Sequence, residues 1–185
     1  DKTFIKEVPN GQIQIVPGSN VKQISGCHFI DINSTFYYFI RPETEILFYD
    51  NIIEYTDIKK QYSAPIYANY NGNLLIKDCR FAYARCSKLS DANVLSANKS
   101  LNMHIVFEKC QIVDCGNSYD QFIIRIHDRQ SSLQLIDCSF TFSDVTKSCQ
   151  TLDLRTSNCL IDNCVFDKCG HAQIEGQSST GVFIL

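Results

Sequence analysis

His127, Arg129, Asp153 and Arg155 are the residues of this chain whose types could do chemistry together. Guanidinium pairs with oxyanions in a bidentate fashion and imidazole changes charge near neutral pH, so the set suits the carboxylate of an acidic sugar or a phosphate. These residues are far apart in sequence, and their meeting rests on an alignment. Ile126 and Leu152 each stand 12 residues before a cysteine, Cys138 and Cys164. If the two segments are neighbouring strands in that register, His127 lies beside Asp153 and Arg129 beside Arg155, with Asp128 adding a further charge. The competing explanation is a solvated sheet face carrying ordinary cross-strand pairs. Tyr38 and Tyr67 fall on the same sheet and offer ring faces on which sugars stack, although aromatic residues on β-surfaces also serve packing.

The ten cysteines raise disulfide and zinc chemistry next. Cys27, Cys79, Cys110, Cys138 and Cys164 occupy one repeated, inward-facing site, where a free thiol behaves as a small hydrophobe. Stacked strands lie ~4.8 Å apart, wider than the ~3.8 Å between Cβ atoms that a disulfide prefers, so this column is expected to be reduced. Cys86, Cys115, Cys149, Cys159 and Cys169 are less regular and leave room for a bridge or two. Four residues separate Cys110 from Cys115 and Cys164 from Cys169, and no paired C-x2-C knuckle occurs, so no metal is expected. Asp50, Asp78 and Asp137, with Asn163, stand just before the repeated site and could form a calcium row. The preferred reading is structural, because Asp and Asn accept backbone N–H groups at tight bends and tolerate unusual backbone angles. Lys109 breaks that row and relieves like-charge repulsion between neighbouring strands.

The elements that must position these residues come from a recurring pattern whose clearest copy is Leu133-Gln-Leu135-Ile-Asp137-Cys138-Ser-Phe140. With the cysteine as zero, apolar residues sit at minus five, minus three and plus two. Six copies align, centred on Cys27, Asn51, Cys79, Cys110, Cys138 and Cys164, at intervals of 24, 28, 31, 28 and 26 residues. Such a period marks an architecture whose units bury their apolar faces by stacking. Further β-rich runs, among them Phe36–Ile40 and Phe122–Ile126, precede each copy, separated by Gly, Asn, Ser or Pro. The expected fold is all-β: a right-handed, single-stranded parallel β-helix, or solenoid, of about six rungs. Ile24, Phe48, Ile76, Phe107, Leu135 and Ile161 should form one inward column. A leucine-rich repeat is the rival, since Ile46-Leu-Phe48-Tyr-Asp-Asn51-Ile-Ile53 satisfies its strand consensus. Against it, the Leu wanted eight residues before the Asn or Cys is absent, and the return segments form strands rather than helices.

At 185 residues and 44% apolar content the chain makes one domain with a continuous core. Residues 1–12 are expected to be a partial rung or cap and residues 13–185 the β-helix. The start at Asp1 and the apolar end Gly181-Val-Phe-Ile-Leu185 read as a segment of a longer stack. A net charge of −3, a pI near 5.8 and no basic run give no reason to expect nucleic acid. No apolar run reaches the ~18 residues of a bilayer span, so no membrane insertion is expected in this segment. A monomer without a cofactor is expected. Asn33-Ser-Thr35 and Asn98-Lys-Ser100 are glycosylation sequons that favour secretion weakly.

Ile76-Lys-Asp78-Cys79-Arg-Phe81, Leu135-Ile-Asp137-Cys138-Ser-Phe140 and Ile161-Asp-Asn163-Cys164-Val-Phe166 resemble the repeat of pectin-lyase-like right-handed β-helix proteins. In that family Asn, Cys or Ser stacks at the tight bend, and Asn51 in the cysteine column fits the substitution. The resemblance covers residues 13 to 170. Cysteine-rich versions are similar to surface β-helix proteins of parasitic protists and to polymorphic outer-membrane proteins of intracellular bacteria, whose G-G-A-I motif is missing here. Within the resemblance, the Asn-Thr-Asp, Asp-Asp, Gly-His-Gly and Arg-Ile-Lys motifs of polygalacturonases and the Arg-x-Pro-x-x-Arg of pectate lyases are absent. The expectation is therefore a non-catalytic, extracellular or cell-surface segment that presents a sheet face to a glycan or protein, with the residues singled out above by alignment and type, Tyr38, Tyr67, His127, Arg129, Asp153 and Arg155, as the ligand-binding set. The alternatives are a divergent polysaccharide lyase or hydrolase and a purely structural spacer.

Overall fold

The computed structural model describes residues 3–6, 13–15, 23–31, 37–40, 45–55, 57–58, 64–69, 72–86, 92–98, 102–116, 122–143, 150–156, 158–169 and 172–174. Every secondary-structure element among them is a strand, and every pairing between strands is parallel. Three long sheets result. Face 1 stacks Gln23–Ser25, Ile46–Tyr49, Gly72–Lys77, Met103–Glu108, Ser132–Ile136 and Asn158–Asp162. Face 2 stacks Thr3–Lys6, Cys27–Ile30, Ile52–Glu54, Arg80–Ala82, Gln111–Val113, Ser139–Thr141 and Val165–Asp167. Face 3 stacks Ile13–Ile15, Tyr37–Ile40, Ile66–Asn69, Ala92–Asn98, Phe122–His127, Gln150–Leu154 and Ala172–Ile174. Each turn of chain gives one strand to each face, which is a parallel β-solenoid. About four turns, those beginning at Ile66, Ala92, Phe122 and Gln150, have described side chains on all three faces, fewer than the six rungs expected.

The apolar spacing works as expected because residues two apart on a strand share a face. Ile24, Phe48, Ile76, Phe107, Leu135 and Ile161 follow one another in register on face 1. Phe29, Ile53, Phe81, Ile112, Phe140 and Phe166 do the same on face 2. Phe48, Ile76, Phe107, Ile53, Phe81 and Phe140 have no exposed surface, and Phe140 stacks on Phe166 with centroids 4.8 Å apart.

Between faces 1 and 2 the chain bends sharply at one residue with positive φ: Gly26 (65°), Asp50 (50°), Asp78 (51°), Lys109 (53°), Asp137 (53°) and Asn163 (50°). Asp, Asn and Gly are the residues that tolerate this left-handed region, which accounts for the Asp row. The bend does not interrupt the ladder, since Asp78 N donates to Glu108 O (2.9 Å) and Arg80 N donates to Asn51 O (2.9 Å). Among the described residues no group of three or more potential ligands is arranged to hold a metal.

The repeated site just after this bend is a column joined by hydrogen bonds. Cys79, Cys110 and Cys138 thiols point back to the carbonyls of Phe48, Ile76 and Phe107 at 3.4, 3.3 and 3.5 Å. Asn51 plays the same part more strongly: its Nδ2 donates to Ile24 O at 2.8 Å, and its Oδ1 accepts from Cys27 N at 3.0 Å. All eight described cysteines are free thiols. Hydrogen bonds with Cys138 and Cys79, together with burial, raise the Cys110 pKa, so this thiol holds its proton at neutral pH. Cys115 and Cys169 are more regular than the sequence suggests. Each stands five residues after a column cysteine and points its thiol to the face 2 carbonyl of the previous turn, Phe81 at 3.5 Å and Phe140 at 3.3 Å. Burial pushes Cys115 up to about 12 and Cys159 to about 11. Cys149, the side chain of Cys86, the Asn33 sequon and the Gly181–Leu185 run lie outside the described residues.

Candidate functional site

Face 3 carries the candidate site. Its inward positions are Ile66, Leu95, Ile124 and Leu152 in one column and Ala68, Ala97, Ile126 and Leu154 in the next, so the residues between them point outward. Tyr67, Ser96, Arg125 and Asp153 therefore form one outward column, with Tyr38 and Gln173 the backbone partners in register at its two ends. Tyr67 is half-buried, and Ser96, between Tyr67 and Arg125, is fully buried. The side chain of Tyr38 lies outside the described residues, and its place is given by the backbone register alone.

The chemistry centres on Asp153. Its carboxylate is only 5% exposed, and its Oδ2 accepts from His127 Nε2 at 2.6 Å and from Arg125 Nε at 3.0 Å. Arg125 Nε also lies 3.3 Å from His127 Nε2. With both nitrogens donating to Oδ2, that approach is two donors side by side rather than a third bond. The Arg125 guanidinium stands 5.7 Å from the centroid of the Phe122 ring, close enough for a cation–π contact. Burial by itself would raise the Asp153 carboxyl. The hydrogen bond from His127 and the charges of His127, Arg125 and Arg155 outweigh it and hold the pKa below the ordinary 3.8. Asp153 is thus an ionised, buried anchor that fixes two side chains at the surface. Arg155, exposed at the end of the strand, adds a third charge felt by the same carboxylate.

The expected register of this site is two residues off. Ile126 pairs with Leu154 rather than Leu152, and Arg125, not His127, is the backbone neighbour of Asp153. The cause is the connection from face 3 to face 1. Ile124 and Leu152 are 28 residues apart, whereas Ser132 and Asn158 on face 1 are 26 apart, so the earlier turn holds two extra residues. They are accommodated in a turn that Asp128 closes: its Oδ1 accepts from Gln130 N (3.1 Å), its Oδ2 from Ser131 Oγ, and its carbonyl from Ser131 N (3.3 Å). His127 still reaches Asp153 diagonally. Arg129 goes into the turn, where it is exposed, and does not stand beside Arg155. Arg125 was missed, and Asp128-x-x-Ser131, an Asx-turn pattern, was the signal that the turn was longer.

Elsewhere the outward faces carry ordinary cross-strand pairs, Lys77 with Glu108 at 2.8 Å, His28 with Glu54 at 3.1 Å and His104 with Ser132 at 2.7 Å. None joins three groups on one buried carboxylate. Neither a protein-family model, a curated protein nor a solved structure matches this chain.

Proposed function

We propose that this is a non-catalytic β-solenoid segment, of pectin-lyase-like type, from a secreted or cell-surface protein, and that face 3 binds an acidic glycan. The observation that carries the reading is the gathering of Arg125, His127 and Arg155 around the buried carboxylate of Asp153. Two guanidinium groups against one carboxylate leave positive charge on an otherwise acidic chain, and the anchored geometry reduces the ordering cost of binding an anion. Tyr67 stands three strands along the same column, about 14 Å away at ~4.8 Å per strand, and supplies a ring face for a sugar.

A second reading draws on one feature. A histidine held 2.6 Å from a buried carboxylate is also the arrangement of a general base, which would make the segment a divergent lyase or hydrolase. Its Nε2 is committed to Asp153, so any proton would have to pass through Nδ1.

A panel of acidic and neutral polysaccharides, read for binding, new reducing ends and unsaturated products, separates these readings. Binding of acidic chains without cleavage, weakened about tenfold by Arg155→Gln through loss of a charge-assisted hydrogen bond, is the expected result. Cleavage abolished by His127→Ala would establish the enzyme reading. Neither binding nor cleavage would leave a structural spacer.

A further inference from the structure

A second corner, four residues after the cysteine column, repeats the left-handed bend in most turns. Asp31 (φ 55°), Tyr55 (55°), Tyr83 (54°) and Asp114 (48°) occupy it in four successive turns, Phe142 stands at the same place without a positive φ, and Lys168 (55°) takes the bend up again. Backbone bonds fix their order, because Asp31 N donates to Glu54 O, Tyr55 N to Ala82 O and Tyr83 N to Val113 O at 3.2, 3.1 and 3.0 Å. Asp is an ordinary occupant of this conformation, whereas a bulky aromatic residue is an outlier there. Tyr55 and Tyr83 are not repaid by burial in the core. Tyr55 is 53% exposed, and the two rings lie stacked with centroids 4.9 Å apart and planes within 10°. Stacking returns part of the strain, yet Asn or Gly would avoid the strain altogether, and exceptions of this kind concentrate at binding sites.

The open side of the pair is defined by its neighbours. Asp114, beyond Tyr83, has its Oδ1 engaged by Ser143 N at 2.6 Å. Asp31, on the Tyr55 side, is exposed and one strand, about 4.8 Å, from Tyr55 along the stack. Among the described residues no cation stands over either tyrosine ring. We propose that the Tyr55–Tyr83 corner is a docking point for an arginine of a protein partner, its guanidinium lying on the outer face of Tyr55 and pairing with the Asp31 carboxylate. Charge complementarity selects a cation, and a ring face beside a carboxylate selects a planar one that can stack and pair at once, which favours Arg over Lys. This corner is separate from face 3, so either proposal can fail without the other.

The test titrates the intact chain with an acetylated, amidated Gly-Arg-Gly-Arg-Gly peptide and its lysine counterpart, following Tyr55 and Asp31 by NMR. The arginine peptide is expected to bind at least fivefold more tightly than the lysine one. Tyr55→Asn and Asp31→Asn should each weaken it fivefold or more, with Asp162→Asn on face 1 as the unchanged control. Tyr55→Asn also separates function from structure. Asn suits a positive φ, so the variant should melt at the same temperature or higher while losing the peptide. A lower melting temperature with peptide binding intact would overturn the proposal and make the stack a packing device. Equal loss on Asp162→Asn would overturn it as bulk attraction to an acidic protein, and a neutral oligosaccharide displacing the peptide from Tyr55 would overturn the choice of partner.

Discussion

At the scale of single residues, Asp153 decides how the face 3 cluster behaves. A carboxylate almost sealed from water is tolerated only because two donors meet one of its oxygens, and removing the charge leaves Arg125 and His127 without their anchor. Asp153→Asn is expected to cost about 2 kcal/mol at pH 7, below the usual penalty for a broken buried pair, since both of its partners are partly exposed. The pH dependence has a definite sign. The folded-state pKa of Asp153 is depressed, so its contribution is fully present above the ordinary value of 3.8 and is lost as pH falls through the lower folded value. Wild type and Asp153→Asn should therefore differ in urea midpoint at pH 7 and converge as pH drops below 3.8. A gap that stays constant into strong acid would mean that the carboxylate is not stabilised by these partners.

At the scale of the elements, the bends govern what can be read from the chain. The columns through Phe48 and Phe81 were legible because the spacing of −5, −3 and +2 around the cysteine is enforced twice, by alternation along each strand and by the left-handed residue that joins faces 1 and 2. The bend fixes distance along the chain on both sides, so register propagates from Cys27 to Cys164 without error. Face 3 has no such ruler. Its connection to face 1 varies in length, and the two extra residues closed by Asp128 moved Arg129 out of the site and brought Arg125 in. A shift of two keeps inward residues inward, so hydrophobic alternation could not reveal it. The bend column also makes a testable statement about residue choice. Asn51 satisfies both Cys27 N and Ile24 O. Asn51→Leu removes both partners inside the core and should cost about 2–4 kcal/mol, whereas Asn51→Cys restores the donor and acceptor that the column uses elsewhere and should cost about 1 kcal/mol. Urea midpoints at unchanged slope would measure the difference, and equal losses would show that Asn51 acts through volume alone.

At the scale of the whole molecule, stacking turns a local choice of side chain into a line. Every outward residue on face 3 has a counterpart in the next turn, so Tyr38, Tyr67, Arg125 and Asp153 are points on one axis, with Tyr38 and Asp153 four strands or about 19 Å apart at ~4.8 Å per strand. An acidic glycan lying along that axis would meet the charges at one end and the aromatic positions at the other. Its length then determines which substitutions it feels. A short acidic oligosaccharide held at Arg155 and Arg125 should lose affinity on Arg155→Gln and be indifferent to Tyr67→Ala, whereas one long enough to span the 14 Å to Tyr67 should be weakened by both. Salt should act more on the short ligand, whose binding is nearly all charge at an exposed surface and is screened over a Debye length of about 8 Å at physiological ionic strength. Calorimetric titration of a length series against wild type and the two variants reads all of this at once. A Tyr67→Ala penalty that is the same at every length would mean that the chain crosses the strands instead of following the axis, and the column would then be a consequence of the fold and not the shape of the site.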